Sequence, residues 1–451
     1  MPTTPDPQID LLGILDVLHA HLDKSLCDSA WSKVRVHERQ SKWSLDLMVQ
    51  FWIAVTLVPP PSLRQALAQA QGVPDSLYPA PEATPEAFFA RSQNLRWEFF
   101  EEVFRGFHAR ATEGLEGSFA VELAPIAQRF TALVAVDGSG LEAVARRLKV
   151  LWGKPEVPLP GSLLALYDIR RGVLAQLDLD VRANAAEFPR ACALLARLPE
   201  GALVVGDRLY GVPKFFAALA EHKLFGISRR FGPVRLEERR LVHSQVTPEG
   251  IVEDYDVLAG TPQRTRQVLR HIRLVRRGKV VLELFTNVLD RTKLSALEAL
   301  LLYRHRWPIE RLFSDLKEVL NLNRFYGANT NAAGMQVFAT AIVHTAMRIA
   351  QARIAQQAKL PPEAISTKKL FPKVAVLSAH LAGARQALEE VRALNPGRNL
   401  KMPTLRGLPF ASIPLSSILV EKGRATRRPP RPYKPRGEWR SLPRRKRPTR
   451  R

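Results

Sequence analysis

The chain has 451 residues, 46% of them hydrophobic. That is enough for two or three domains and excludes wholesale disorder. Its two cysteines, Cys27 and Cys192, lie far apart in sequence, so neither a disulfide scaffold nor a zinc ribbon organises the fold.

A net charge of +24 points to a polyanionic partner, most simply nucleic acid. The charge is uneven. Residues 1–126 hold 10 Lys and Arg against 16 Asp and Glu, whereas residues 421–451 hold 14 against 2. The first residues lack a basic stretch followed by an apolar one, so no secretory signal is read there. The apolar run Leu47 to Val58 contains Gln50 and is too short to span a bilayer. A soluble cytoplasmic protein is expected, with no membrane partner.

Residues 1–125 read as a helical N-terminal domain. Asp10 to Leu22 places apolar residues near a 3.6 period, Leu45 to Val58 is stopped by Pro59-Pro60-Pro61, and Phe88 to Phe107 is rich in Phe and Trp. Lys33, Arg35, Arg39 and Lys42, near Trp31 and Trp43, form a small basic cluster that fits either DNA recognition or a polar helix face.

From residue 126 the pattern changes to α/β. Thr131 to Val136 predicts a buried strand ending at Asp137-Gly138-Ser139-Gly140. Two strands, Leu163 to Ile169 and Val173 to Val181, flank the turn Arg170-Arg171-Gly172. A helix over Glu187 to Leu198, a strand over Ala202 to Val205 ending at Gly206-Asp207, a helix over Val212 to His222 and a strand over Leu224 to Ser228 complete a mixed-sheet order. Residues 231–290 read as a β-rich insertion, with strands over Gln267 to Val275 and Val280 to Asn287. Long helices follow over Lys293 to Leu320 and Ala333 to Gln357, closing a core of 126–360. Residues 361–420 read as a C-terminal helical region, and the Pro- and Arg-rich 421–451 as a disordered basic tail.

Two carboxylates fall at parallel places, Asp137 and Asp207, each at the end of an apolar strand, where α/β folds put ligands. An Asp in such a place also commonly starts a turn or caps a helix. On one helix, Tyr303, Arg306, Glu310 and Lys317 share an arc of about 60°. Leu302, Ile309, Leu312, Phe313 and Leu316 form the core face, and Arg304, Arg311 and Asp315 the solvent face. The same stripe reads as an ordinary Arg306–Glu310 ion-pair ladder. Pro308 should kink this helix or start a new one. Three carboxylates can hold two divalent ions about 4 Å apart, and neighbouring cations can then orient phosphates.

These residues resemble the signature of the DDE transposases of bacterial insertion sequences. The subgroup marked by Tyr-x2-Arg-x3-Glu-x6-Lys is matched by Tyr303, Arg306, Glu310 and Lys317, with Asp137 in Val-Ala-Val-Asp-Gly-Ser and Asp207 in Val-Val-Gly-Asp-Arg-Leu-Tyr-Gly as the first two acids. The resemblance covers about residues 127–350 and implies an RNase H-like core with a β insertion. It implies two Mg²⁺ or Mn²⁺ ions on Asp137, Asp207 and Glu310, and phosphate contacts from Tyr303, Arg306 and Lys317. It further implies cleavage at element ends and strand transfer into target DNA by a homodimer in a synaptic complex, which would associate with the nucleoid. The acids alone fit equally an RNase H-like nuclease that does not join, although the set Tyr303, Arg306 and Lys317 favours joining. A third reading, an inactive DNA-binding derivative of a transposase, is opposed by the complete set of acids.

Arg264, Arg266, Arg270, Arg273, Arg276, Arg277 and Lys279 form a run with no acid between them. It reads as a DNA-backbone surface on the insertion, which Arg229 and Arg230 extend, or as a solvated hairpin face. His305 reads as a packed residue, and Asp178 and Asp180 as strand edge or pairing residues.

Overall fold

A computed structural model of the chain describes residues 8–11, 17–18, 20–34, 41–70, 77–141, 161–180, 186–263, 265–327, 329–379 and 412–420. The basic tail, Arg35 and Arg39 of the N-terminal cluster, and Arg264 lie outside the described residues.

The first described element is strand β1 (Gln8–Asp10), which pairs with Ser412–Pro414 (β11). Asp10, expected to open a helix, instead closes this strand, which ties residues 8–10 to residues 412–414. Helices α1 (Lys24–Val34), α2 (Leu45–Leu57), α3 (Leu63–Ala70), α4 (Pro85–Asn94) and α5 (Glu98–Ala111) follow, then a single turn, α6 (Ala124–Ala127). Side-chain oxygens cap four of them: Asp23 accepts from the Leu26 N–H, Ser44 from the Leu47 N–H, Ser62 from the Gln65 N–H, and Thr84 from the Ala87 N–H ahead of Pro85. In the smaller basic cluster, Lys33 pairs with Glu102 at 3.3 Å and Lys42 donates to the Glu82 carbonyl, so both are engaged within the helical region.

Nine strands form one sheet. In chain order they are β2 (Leu133–Gly140), β3 (Ser162–Asp168), β4 (Val173–Asp180), β5 (Leu203–Gly206), β6 (Phe225–Arg229), β7 (Leu236–Thr247), β8 (Gly250–Gly260), β9 (Arg266–Arg276) and β10 (Lys279–Thr286). The order across the sheet is β4-β3-β2-β5-β6-β10-β9-β8-β7. Pairs β2–β5 and β5–β6 are parallel and the rest antiparallel. The β-rich segment therefore continues the main sheet, because β10 pairs with β6 through Leu284 with Arg229 and Thr286 with Ile227. Strands β7 and β8 were not foreseen: most of β7 is exposed, it opens with the charged run Glu237 to Arg240, and it carries no clear alternation.

Alternation assigns the two faces of the sheet. Leu133, Ala135, Leu203 and Val205 face a core shared with the N-terminal helices and with the long helix α11 (Thr330–Ala358), nearly all of which is buried. Val134, Val136, Val204 and Phe285 face α7 (Glu187–Leu195) and α8 (Pro213–Glu221). The stretch expected as one helix over Lys293 to Leu320 divides into α9 (Ala296–Arg304), started by a Ser295–Glu298 capping box, and α10 (Trp307–Ser314), with a π-helical turn at Asp315–Val319. The division falls just before Pro308, whose missing N–H suits the first turn of a helix. Residues 367–379 are helical, and Thr367 there donates to Asp315 at 3.0 Å. Asp315, placed by the wheel on the solvent face, is therefore buried, since this later segment covers it.

Candidate active site

The parallel ladder between β2 and β5 has four rungs, the last being Val136 with Gly206. Asp137 and Asp207 are the next residue on each strand, so backbone register brings the two carboxylates to one sheet edge. Asp137 is not a strand end: β2 continues antiparallel to β3, with Asp137 opposite Ala165. Asp207 does leave its strand. Its carboxylate accepts from the Leu209 N–H at 2.7 Å and caps the short turn Arg208–Tyr210.

Alternation turns Asp137 toward the α10 side of the sheet, where the helix brings Arg306 and Glu310. The Arg306 guanidinium donates to Asp137 Oδ2 at 3.4 Å through Nη1 and to Glu310 through Nη2. One cation thus bridges the first and third acids. Lys317 donates from Nζ to Ser139 Oγ and to the Gly140 carbonyl, both at 2.6 Å. Tyr303 lies beside Arg306, with its ring centre 6.0 Å from the guanidinium carbon. Six of the residues singled out from sequence are therefore gathered at one place.

Burial pushes the Asp137 carboxyl up to about 7; Arg306 opposes this, while the charges of Asp207 and Glu187 add to it. Burial likewise raises the Tyr303 hydroxyl, against the opposing charges of Arg306 and Arg229.

Glu187 was not foreseen. It opens α7 on the opposite face of the sheet, where its carboxylate accepts from the Tyr210 hydroxyl at 2.5 Å. Two glycines make the room. A Cβ on Gly138 would collide with the Glu187 carboxylate, and one on Gly206 would lie 2.8 Å from Tyr210 Cβ and 2.9 Å from Ser228 Oγ. Burial raises the Glu187 carboxyl, Tyr210 opposes the rise, and Asp207 adds to it. Sequence offered one signal, a glycine beside each aspartate, but nothing that named the residue filling the gap.

The basic run does not form the uncompensated surface expected of it. Arg270 is fully buried, pairs with Asp254 at 2.6 Å and donates to the Val288 and Leu294 carbonyls. Arg273 pairs with Glu253 at 3.1 Å, Arg276 with Glu249 at 3.5 Å, and Arg266 with Glu237. The acids come from β7, β8 and the turn between them, which is why none was visible within the run. Arg277 and Lys279 are exposed at the β9–β10 hairpin tip with no carboxylate partner among the described residues. Arg230 pairs with Glu283 at 3.2 Å, while Arg229 is exposed. His305 pairs with Glu122 at 3.0 Å, and Asp178 with Arg190 at 2.6 Å.

Oxygen donors of this kind suit a hard divalent cation. Among the described residues, however, no group of three or more His, Cys, Asp or Glu is drawn together closely enough to hold one. Arg306 lies between two of the acids instead. No helix among the described residues is long and apolar enough to cross a membrane.

Residues 133–346 match the family described as Transposase DDE domain. The chain is 30% identical over 206 residues to "Putative transposase y4zB" of Sinorhizobium fredii (strain NBRC 101917 / NGR234), an alignment covering 44% of this chain and 56% of that protein. The chain thus spans little more than half the length of the curated relative it matches. A solved structure, the piggyBac transposase synaptic complex with hairpin DNA, is similar at a TM-score of 0.36 and 10% identity, covering 86% of this chain and 83% of that one, which is too slight a likeness to bear on the fold. The segment that carries Asp137, Asp207 and Glu310 is the one that matches the transposase DDE domain.

Proposed function

We propose that this chain is a DDE transposase of the Tyr-Arg-Glu-Lys subgroup that cuts DNA at the ends of an insertion sequence and joins them to target DNA. The observation that carries this reading is the placement of Asp137 and Asp207 at matching positions of parallel strands, with Glu310 of α10 linked to Asp137 through Arg306. The family match supports transposition in general. The order β4-β3-β2-β5-β6, with only its last two pairs parallel, supports an RNase H-like core.

In this reading Asp137, Asp207 and Glu310 are the residues that would hold two Mg²⁺ or Mn²⁺ ions. Bound ions of this kind activate a water or a 3′-hydroxyl and stabilise the leaving oxygen of an in-line displacement. The chain's own residues supply position. Register fixes two carboxylates side by side, α10 delivers the third across the sheet edge, and Lys317 closes over Ser139 and Gly140 at the end of β2. Arg306, Tyr303 and Lys317 are the groups beside the acids that can engage phosphates. Arg277, Lys279 and Arg229 offer exposed cations for the DNA backbone. DNA is the partner, and a homodimer holds the two ends.

The test is a strand-transfer assay with Mg²⁺ and an oligonucleotide copied from the inverted repeats that flank the gene. Joined product supports the reading. Cut ends without joined product point instead to a nuclease that does not transfer strands.

A further inference from the structure

Arg306 occupies an unusual place for a phosphate-binding residue. Only 13% of its side chain is exposed, and its two terminal nitrogens are spent on Asp137 and Glu310. Its Nε is buried and has no acceptor. A buried donor without a partner is costly, so the geometry leaves one edge of the guanidinium short of an oxygen. The oxygens that Arg306 binds are also those a divalent ion would require. Guanidinium and metal ion therefore compete for the same space and the same negative charge.

We propose that Arg306 is a displaceable counter-ion, which keeps divalent cations out of the carboxylate site until a phosphodiester takes its guanidinium. The inference rests on the reading of Asp137, Asp207 and Glu310 as the cation-binding acids. Without DNA, the buried Asp137 carboxylate beside Asp207 needs a positive charge, and Arg306, which also pairs with Glu310, provides it. A phosphate presents paired oxygens to the planar guanidinium fork, including its spare Nε–H. Drawing Arg306 toward that phosphate uncovers the acids, and a divalent ion then restores neutrality. Binding of DNA and of cation become coupled, and the coupling is reciprocal. Such a chain would avoid loading cations, and so acquiring cutting activity, before DNA is in place.

The experiment measures Mn²⁺ binding by electron paramagnetic resonance, on the full chain, with and without a short DNA duplex of arbitrary sequence. Arg306→Gln should tighten Mn²⁺ binding by the DNA-free chain by about tenfold. Duplex should tighten it by a similar factor in the unaltered chain and have little further effect on Arg306→Gln. Should Arg306→Gln lose its melting transition, Arg306→Lys replaces it, since one ammonium cannot bridge both acids; a smaller tightening in the same direction is expected. Equal or weaker Mn²⁺ binding by the folded variants, or the same effect of duplex in variant and parent, overturns the proposal. Asp137→Asn separates the two layers of argument. If Mn²⁺ binding survives that change, the carboxylate reading fails; if binding is lost but Arg306 substitutions do not tighten it, only the counter-ion role fails.

Discussion

Asp137 and Asp207 each stand one residue beyond the Val136–Gly206 rung of a parallel ladder, so their proximity is fixed by backbone hydrogen bonds and not by side-chain packing. The glycine flanking each aspartate, Gly138 and Gly206, then clears the opposite face for Glu187 and Tyr210.

That clearance gives a first prediction. Tyr210→Phe removes the hydroxyl that donates to Glu187 and leaves a part-buried carboxylate without that bond. The expected loss is about 1–3 kcal/mol of stability, read as a lowered denaturant midpoint. Gly138→Ala should disturb the same place, because the added Cβ meets the Glu187 carboxylate. An unchanged midpoint for both variants would show that the packing beneath the aspartates is not tight.

Arg270 gives a second. It is a buried member of an ion-pair network with Asp254, which Arg291 also reaches at 3.1 Å. Arg270→Met should cost about 3–5 kcal/mol, since it leaves a buried acid short of its partner. Arg277→Ala with Lys279→Ala should instead leave the melting temperature unchanged, weaken DNA binding, and lower the slope of log affinity against log salt by about 2. Melting curves and salt titrations of binding distinguish the two outcomes. An Arg270 variant that melts normally but binds DNA poorly would reverse the assignment.

The contrast between these arginines shows what was legible in the sequence. Strand and helix order from Thr131 to Ser228, the break near Pro308 and the gathered residues Asp137, Asp207, Tyr303, Arg306, Glu310 and Lys317 follow local rules: apolar runs, turn residues and helical spacing. The charge balance of Arg266, Arg270, Arg273 and Arg276 depends on β7, β8 and the turn between them, which bring acids from outside the run. Partners across strands cannot be read from one segment. Asp315 was misplaced for a similar reason, as the residue that covers it, Thr367, is 52 positions away. Glu187 was missed because its link to Asp137 runs through the empty space above a glycine.

A third prediction concerns acid. Burial, with a contribution from Arg171, holds the His108 imidazole down at about 4, and burial also lowers His344. Both are neutral in the folded chain at pH 7. As pH falls below the ordinary histidine value of 6.5, the unfolded chain takes up protons that these two imidazoles refuse, so their contribution to stability declines between about pH 6.5 and 4. Asp137, held up to about 7, takes up a proton in the fold over the same range and opposes that decline. Thermal melts of parent and variant across the range isolate the histidine contribution: His108→Leu should lose less stability on acidification than the parent chain. A variant that loses stability with the same slope as the parent would assign the acid sensitivity elsewhere.

The most direct test of the central claim is DNA cleavage and joining at element ends by three single variants, Asp137→Asn, Asp207→Asn and Glu310→Gln, in Mg²⁺. Each should lower the rate by about 10³-fold, the scale of losing a group that stabilises developing charge, while DNA binding and the melting temperature stay close to those of the parent chain. Cleavage that persists at the parental rate in any one of the three would contradict the account.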